Sequence, residues 1–196
     1  ENTEEAFLIL LALKEQILTD IQKQPQRYEF LLRSIEQSLL KYFTYNEEEG
    51  LEYLRKKLEE EHSPAFKSIL RVIFKKFTSI HYMRFNIKPG QRLYFFQKYT
   101  IYEAEELKKK GAKGVIICTE QGLGKTVTAL MLINSKPSVI ITPNSVVSTW
   151  TEQEGMFIPT PNIEVLEGPY QEREELLGHL ARPQVLTNVE FTRGMT

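Results

Sequence analysis

The residues best suited to chemistry form one short run, residues 119–126, with the sequence TEQGLGKT. Glycines let a backbone curl until several N–H groups converge on one anion, and a helix that follows adds its positive end. In such a loop a lysine ammonium reaches the β- and γ-phosphates of a nucleotide, and the next hydroxyl holds Mg²⁺. The run therefore predicts a phosphate-binding loop with Lys125 as the catalytic residue and Thr126 as the metal ligand. The predicted nucleotide-binding residues of this loop are Gly122, Leu123, Gly124, Lys125 and Thr126.

The flanks of the loop decide between this interpretation and an ordinary glycine-rich turn before Lys-Thr. The strict pattern asks for glycine at position 119, where this chain has threonine. Residues 114–118 are an apolar, β-branched run typical of a buried parallel strand, and residues 127–133 suit a buried helix. The order strand, glycine loop, helix favours a phosphate-binding loop.

The second half of the chain alternates between two kinds of pattern. A proline and a glycine within residues 86–90 predict a turn or linker before it. Apolar strands are predicted at 114–118, 138–142, 163–166 and 185–188, with helices at 101–110 and near 125–134, 145–154 and 170–181. Strands that alternate with helices indicate an α/β fold with a parallel sheet and crossover connections.

The first part of the chain has helical periodicity instead. Ser63 followed by Pro64 is a helix start, and Asn46 with Glu49 is typical of a capping box. In the helix that starts at Ser63, one face is predicted to be apolar and buried, at Phe66, Ile69, Leu70, Ile73, Phe74 and Phe77. We expect a helical bundle or arm over residues 1–84, a linker over 85–92 and the α/β domain over 93–196.

Charge is balanced overall and uneven along the chain. The sequence holds 25 lysines and arginines against 26 acidic residues. Residues 63–102 contain no acidic side chain and eight basic ones, namely Lys67, Arg71, Lys75, Lys76, Arg84, Lys88, Arg92 and Lys98. Two interpretations stay open: this block neutralises nucleic-acid phosphates, or it is a solvated face that pairs with the acidic first segment.

Cysteine and hydropathy indicate the compartment. The single cysteine, Cys118, cannot form an internal disulfide, and the three histidines have no metal-ligand spacing. The longest early apolar run, residues 6–13, is too short to cross a bilayer. We expect an intracellular protein without membrane attachment, cytoplasmic if bacterial and nuclear if eukaryotic.

Four stretches in order resemble one family. TEQGLGKTVTALMLI (119–133), SVIITPNSVVSTW (138–150) and VLTNVEF (185–191) are similar to successive motifs of the Swi/Snf-type ATPases of helicase superfamily two, and LYFFQK (93–98) takes the place of their glutamine motif. The resemblance implies a partial RecA-like lobe after an all-α segment. It also implies ATP and Mg²⁺ as cofactors, and a longer parent protein that acts as an ATP-driven translocase on double-stranded DNA.

The same resemblance implies roles for residues outside the loop. Gln97 matches a residue that hydrogen-bonds the adenine edge, for which an amide offers both donor and acceptor. Ser145 and Thr187 match residues that touch the nucleic-acid backbone, although Ser145 is equally a candidate helix N-cap. Trp150 is expected to pack rather than to bind a ligand. The segment 1–84 matches no motif of the family and is expected to serve as a scaffold or to bind protein partners.

The resemblance also indicates what this chain lacks for hydrolysis. The family uses an Asp-Glu pair on a later strand and arginines from a second lobe, whereas the only aspartate here is Asp20, in the helical segment. Since the chain begins with Glu1, we expect a piece of a longer protein that does not hydrolyse ATP by itself. Two alternatives remain: another superfamily-two helicase of RNA or restriction type, and a non-catalytic interaction module with a decayed ATPase lobe.

Overall fold

The computed structural model describes residues 2–44, 46–133, 136–166 and 184–188; for 2–7 and 184–188 this covers the backbone alone. The chain divides into two compact units. The first contains residues 1–83 and 94–99, and the second contains residues 84–93 and 100–196.

The first unit is helical. Its elements are α1 (Asn2–Gln22), α2 (Pro25–Leu40), a 3₁₀ turn (Lys41–Phe43), α3 (Glu47–Glu60), α4 (Pro64–His81) and the start of α5 (Phe95–Lys109). Both predicted caps are confirmed, because Asn46 accepts from the Glu48 and Glu49 N–H groups and Ser63 accepts from Phe66 N–H. Among the described residues, no helix is both long and apolar enough to cross a membrane.

The core of the first unit lies along α4. The predicted face is largely confirmed, with Ile69, Leu70, Ile73 and Phe77 buried. Phe43 and Phe95 stack on each other with ring centroids 4.5 Å apart, and both meet Phe77 edge-on. This aromatic cluster explains why the first turns of α5 belong to the helical unit.

A buried carboxylate ties three helices of this unit together. Glu36 on α2 has no exposed surface. Its two oxygens accept from Lys76 Nζ on α4 at 2.9 and 2.8 Å, and one also accepts from Tyr99 Oη on α5 at 2.6 Å. A buried charge is tolerated when a cation and further hydrogen bonds satisfy it, as they do here.

The second unit contains a parallel sheet with helices. Its elements are the end of α5, α6 (Lys125–Ile133), β1 (Ser138–Thr142), a 3₁₀ turn (Asn144–Val146), α7 (Val147–Phe157), β2 (Ile163–Val165) and β3 (Gln184–Asn188). The strand order is β1-β3-β2, and both pairs are parallel. The strands predicted at 138–142, 163–166 and 185–188 are therefore confirmed within one residue, whereas the helix predicted near 170–181 lies outside the described residues.

The helices cover one face of this sheet. Leu130 of α6, Ile140 of β1 and Ile163 of β2 form a buried cluster, against which Trp150 and Val147 of α7 pack. Trp150 is thus a packing residue, as the sequence predicts. At the other end of α7, Phe157 O accepts from Lys88 N–H at 2.8 Å, so that the predicted linker is held against this unit.

The strand predicted at 114–118 is not formed, which corrects the sequence analysis. Residues 114–120 are irregular, and Ile116 is 87% exposed. An apolar run acquires strand geometry when neighbouring strands complete its hydrogen-bond ladder, and no described strand pairs with this one. The helix predicted from residue 101 also begins earlier, at Phe95, and it ends as expected before Gly111, whose φ is +90°.

We predict that Lys76→Met lowers the free energy of unfolding by about 3–5 kcal/mol, because it removes the cation from a buried carboxylate. Urea denaturation measures this change. Lys75→Met is the matched control, since the exposed Lys75 side chain neighbours Lys76, and it should change stability by less than about 0.5 kcal/mol. The double variant Glu36→Leu/Lys76→Met should recover most of the loss, and equal effects of the two single variants would contradict the prediction.

Candidate nucleotide-binding loop

The loop before α6 is shaped by two glycines in the left-handed region. Gly122 has a φ of +85° and Gly124 a φ of +72°, and α6 begins at the next residue, Lys125. Side chains rarely adopt such φ values, so the sharp turn requires glycine at both positions. A Cβ added at Gly122 would meet no atom within 4 Å, which leaves the space beside the loop open.

The Lys125 side chain folds back across the loop. Its Nζ donates to the main-chain oxygens of Thr119 and Glu120, at 2.9 Å each. These bonds close a ring from the first loop position to the first helical residue. Because the acceptors are neutral carbonyls and the lysine is exposed, an anionic phosphate could compete for the ammonium at little cost.

Thr128 anchors the end of the loop and was not predicted from sequence. Its N–H and its Oγ1 both donate to Gly124 O, at 3.0 and 3.1 Å, and the residue is buried. Its N–H is bonded in helical fashion, whereas the N–H groups of the residues before it lie at the start of α6, where a helix has no internal acceptors for them. The signal in the sequence is a threonine one turn after the last loop glycine.

Thr119, at the position where the strict pattern has glycine, places a hydroxyl at the start of the loop. Its Oγ1 is buried and has no hydrogen-bond partner among the described residues. Buried hydroxyls are nearly always bonded, so an orphaned one at the edge of a candidate anion site fits a missing ligand oxygen or water.

Gln97 is placed in the helical unit, whereas the loop belongs to the other unit. Its Oε1 accepts from Tyr94 N–H at 2.9 Å, and the residue is only 7% exposed. Gln97 is the third residue of α5, so this bond is the reciprocal half of a capping box. The structure thus gives Gln97 a capping role, and its contact with adenine stays a prediction.

The two residues predicted to contact nucleic acid lie on different elements of the second unit. Ser145 is exposed within the 3₁₀ turn, and the interpretation of Ser145 as an N-cap is wrong, because Val146 occupies the cap of α7 and makes no side-chain bond. The turn supplies a backbone acceptor for the first N–H of that helix, with Val147 N–H donating to Asn144 O. Thr187 lies on β3 opposite Ile141, and its side chain lies outside the described residues.

Thr126, the predicted Mg²⁺ ligand, is the second residue of α6 and is half-buried. Leu123, between the two glycines, is 39% exposed. Elsewhere in the described residues, no three carboxylate, imidazole or thiol side chains come together as a metal site. A hydroxyl at the start of this helix fits Mg²⁺ that is held mainly by nucleotide phosphates and water.

We predict that Gly122→Ala weakens ATP binding, because an alanine resists the positive φ that shapes the loop. Gly90→Ala is the matched control, since Gly90 has a φ of +86° and its added Cβ would also meet nothing within 4 Å. Each variant should lose roughly 1–2 kcal/mol of stability, and only Gly122→Ala should lose affinity in isothermal titration with ATP. Equal ATP affinity of the two variants would refute the role of this glycine.

Comparison with known proteins finds similarity among solved structures. No protein-family model matches the chain, and no curated protein matches it. Among solved structures, the chain is similar to the Sulfolobus solfataricus SWI2/SNF2 ATPase core in complex with dsDNA, with 24% identity and a TM-score of 0.47. The likeness covers 54% of this chain and spans only 23% of that one.

Proposed function

We propose that residues 119–126 bind the phosphates of ATP with Mg²⁺. The observation that carries this proposal is the geometry of the loop, in which two positive-φ glycines lead directly into α6 and the Lys125 ammonium lies across the turn. Backbone amides at a helix start, together with one mobile cation, form the anion site that a triphosphate needs.

Each residue of the loop then has a chemical task. Lys125 leaves its two carbonyl partners and binds the β- and γ-phosphates, which are stronger acceptors because they are charged. Thr126 holds Mg²⁺ through its hydroxyl, while the phosphates and water complete the coordination. Gly122, Leu123 and Gly124 contribute main-chain N–H groups. A contact of Gln97 with the adenine edge is proposed from the resemblance alone, as a role separate from its capping of α5.

The parent protein is proposed to be a Swi/Snf-type ATPase that translocates on double-stranded DNA. Support comes from the four ordered motifs, three of which lie in the second unit. The motif 119–133 contains the glycine loop and α6, the motif 138–150 contains β1 and the start of α7, and the third motif begins on β3. The parallel order β1-β3-β2 is compatible with a RecA-like lobe. Ser145, exposed after β1, and Thr187, on β3, are the proposed contacts to the DNA backbone. Protein partners are proposed to bind the helical segment.

Hydrolysis by these 196 residues alone is not expected. Phosphoryl transfer needs a carboxylate for the metal, a group that orients water and arginine for the developing charge, and arginine alone contributes about 10³–10⁵ in rate. The only aspartate, Asp20, lies on α1 and bonds to Gln16 and Lys23. The chain is therefore proposed to bind nucleotide without turning it over.

We predict that Mg-ATP stabilises the protein and that Lys125→Ala abolishes the effect. A ligand at 100 times its Kd adds about 2.7 kcal/mol to the free energy of unfolding, which thermal unfolding with and without Mg-ATP detects. Lys136→Ala is the matched control, because Lys136 is also an exposed lysine of the second unit. If Mg-ATP does not stabilise the unmodified chain, the lobe is a decayed, non-catalytic module.

We also predict that phosphate release from ATP by the purified chain stays at the background rate, with or without DNA, because the carboxylate pair and the arginines are missing. A steady-state assay of phosphate release measures this. Release above background that disappears in Lys125→Ala would contradict the prediction and show that other residues complete the site.

A further inference from the structure

We propose that the outer surface of α4 binds the phosphate backbone of duplex DNA, separately from the nucleotide loop. This surface, called the α4 basic face, consists of Lys67, Arg71 and Lys75. It lies within residues 1–83 of the helical unit, a segment that matches none of the motifs. The choice of duplex DNA as the polyanion rests on the proposed function, whereas the charge of the surface does not.

The structure separates the basic block of residues 63–102 into two groups. Lys76 binds the buried Glu36, and Lys98 binds Glu47 at 2.9 Å, so these two lysines neutralise the acidic first segment as one interpretation of the sequence predicts. The α4 basic face behaves differently. Among the described residues, no ion pair joins Lys67, Arg71 or Lys75 to a carboxylate.

Several carboxylates of the neighbouring helices pair with cations of their own helix. On α3, Glu52 pairs with Arg55 and Glu60 pairs with Lys57. On α2, Arg33 pairs with Glu29, and on α1 Lys23 pairs with Asp20. Since residues 63–102 contain no acidic side chain at all, nothing on α4 itself offsets the charge of its outer surface.

The three cations form a line that suits a charged backbone. They are spaced four residues apart, so they follow one side of α4 at steps of about 6 Å and span about 12 Å along the axis. Arg71 and Lys75 are exposed, and Lys67 is half-buried. The opposite side of the helix carries the apolar core, which fixes the direction of this face.

The polar neighbours of the line favour phosphate over a folded protein surface. Ser68 is exposed beside it, and short hydroxyls hydrogen-bond phosphate oxygens without reading bases. One large apolar side chain, Val72, is exposed between the cations, at 44%. A protein partner would be expected to meet a larger apolar centre, so a sequence-independent contact with DNA fits better.

The test is the double variant Arg71→Gln/Lys75→Gln, measured by fluorescence anisotropy with a short labelled DNA duplex of arbitrary sequence. Titrations run over a range of salt concentrations, in the absence of nucleotide. Each phosphate contact contributes about 0.9 to the slope of log K against log salt concentration, so the slope should fall by about 1.8 and the affinity at low salt should drop. Because both side chains are exposed, the thermal unfolding midpoint should not change.

The matched control is Arg55→Gln/Lys57→Gln, which removes the same net charge from paired positions of the same unit. It should keep the slope of the unmodified chain, as should Arg71→Lys/Lys75→Arg. An equal loss of DNA affinity in the two double Gln variants would show a net-charge effect and overturn the proposal. Unchanged DNA binding by Arg71→Gln/Lys75→Gln would overturn it as well. Preference for an acidic polypeptide over duplex DNA in competition would also overturn it.

Stabilisation by Mg-ATP, measured on the same variants, separates this proposal from the function of the loop. If Arg71→Gln/Lys75→Gln loses DNA binding but still gains stability from Mg-ATP, the two surfaces are independent. DNA binding that is retained by Arg71→Gln/Lys75→Gln overturns the α4 basic face and leaves the ATP proposal intact.

Discussion

The candidate site depends on a backbone constraint: the chain must turn through positive φ at Gly122 and Gly124 and then enter α6 at once. That turn aims the loop at the start of a helix, where N–H groups have no internal acceptors. It also brings Lys125 within reach of Thr119 O and Glu120 O, so that the ammonium closes the loop in place of an anion. Thr128 fixes Gly124 from the helix side. Shape and charge at this site therefore arise from the same few residues.

Charge compensation organises the helical unit in a comparable way. Glu36 is buried where three helices meet, and its burial requires Lys76 from α4 and Tyr99 from α5. This arrangement uses the inward-facing cation of α4, while the outward-facing ones pair with no carboxylate among the described residues. Together with the Lys98–Glu47 pair, it explains why the basic block is not one uniform surface.

Several particulars of the fold were open to sequence reasoning and others were not. The caps at Asn46 and Ser63, the buried face of α4 and the packing of Trp150 depend on local side-chain chemistry and periodicity, and each was predicted. Residues 114–118 look like a strand because they are apolar and β-branched, but pairing with neighbours decides whether such a run becomes one. The hydroxyl of Ser145 does not cap α7, because a 3₁₀ turn shifts the start of the helix and Val146 occupies the cap position.

By itself, the sequence determined the position of the glycine loop, the positions of three strands and the uneven charge along the chain. These follow from residue types and spacing, because glycine conformation, apolar runs and charge are local properties. Only the tertiary structure decided which lysines of the basic block are paired, and that Thr119 Oγ1 lies buried with no partner among the described residues. Those outcomes depend on which groups meet after the helices pack, and contacts between residues distant in sequence cannot be read from either residue alone.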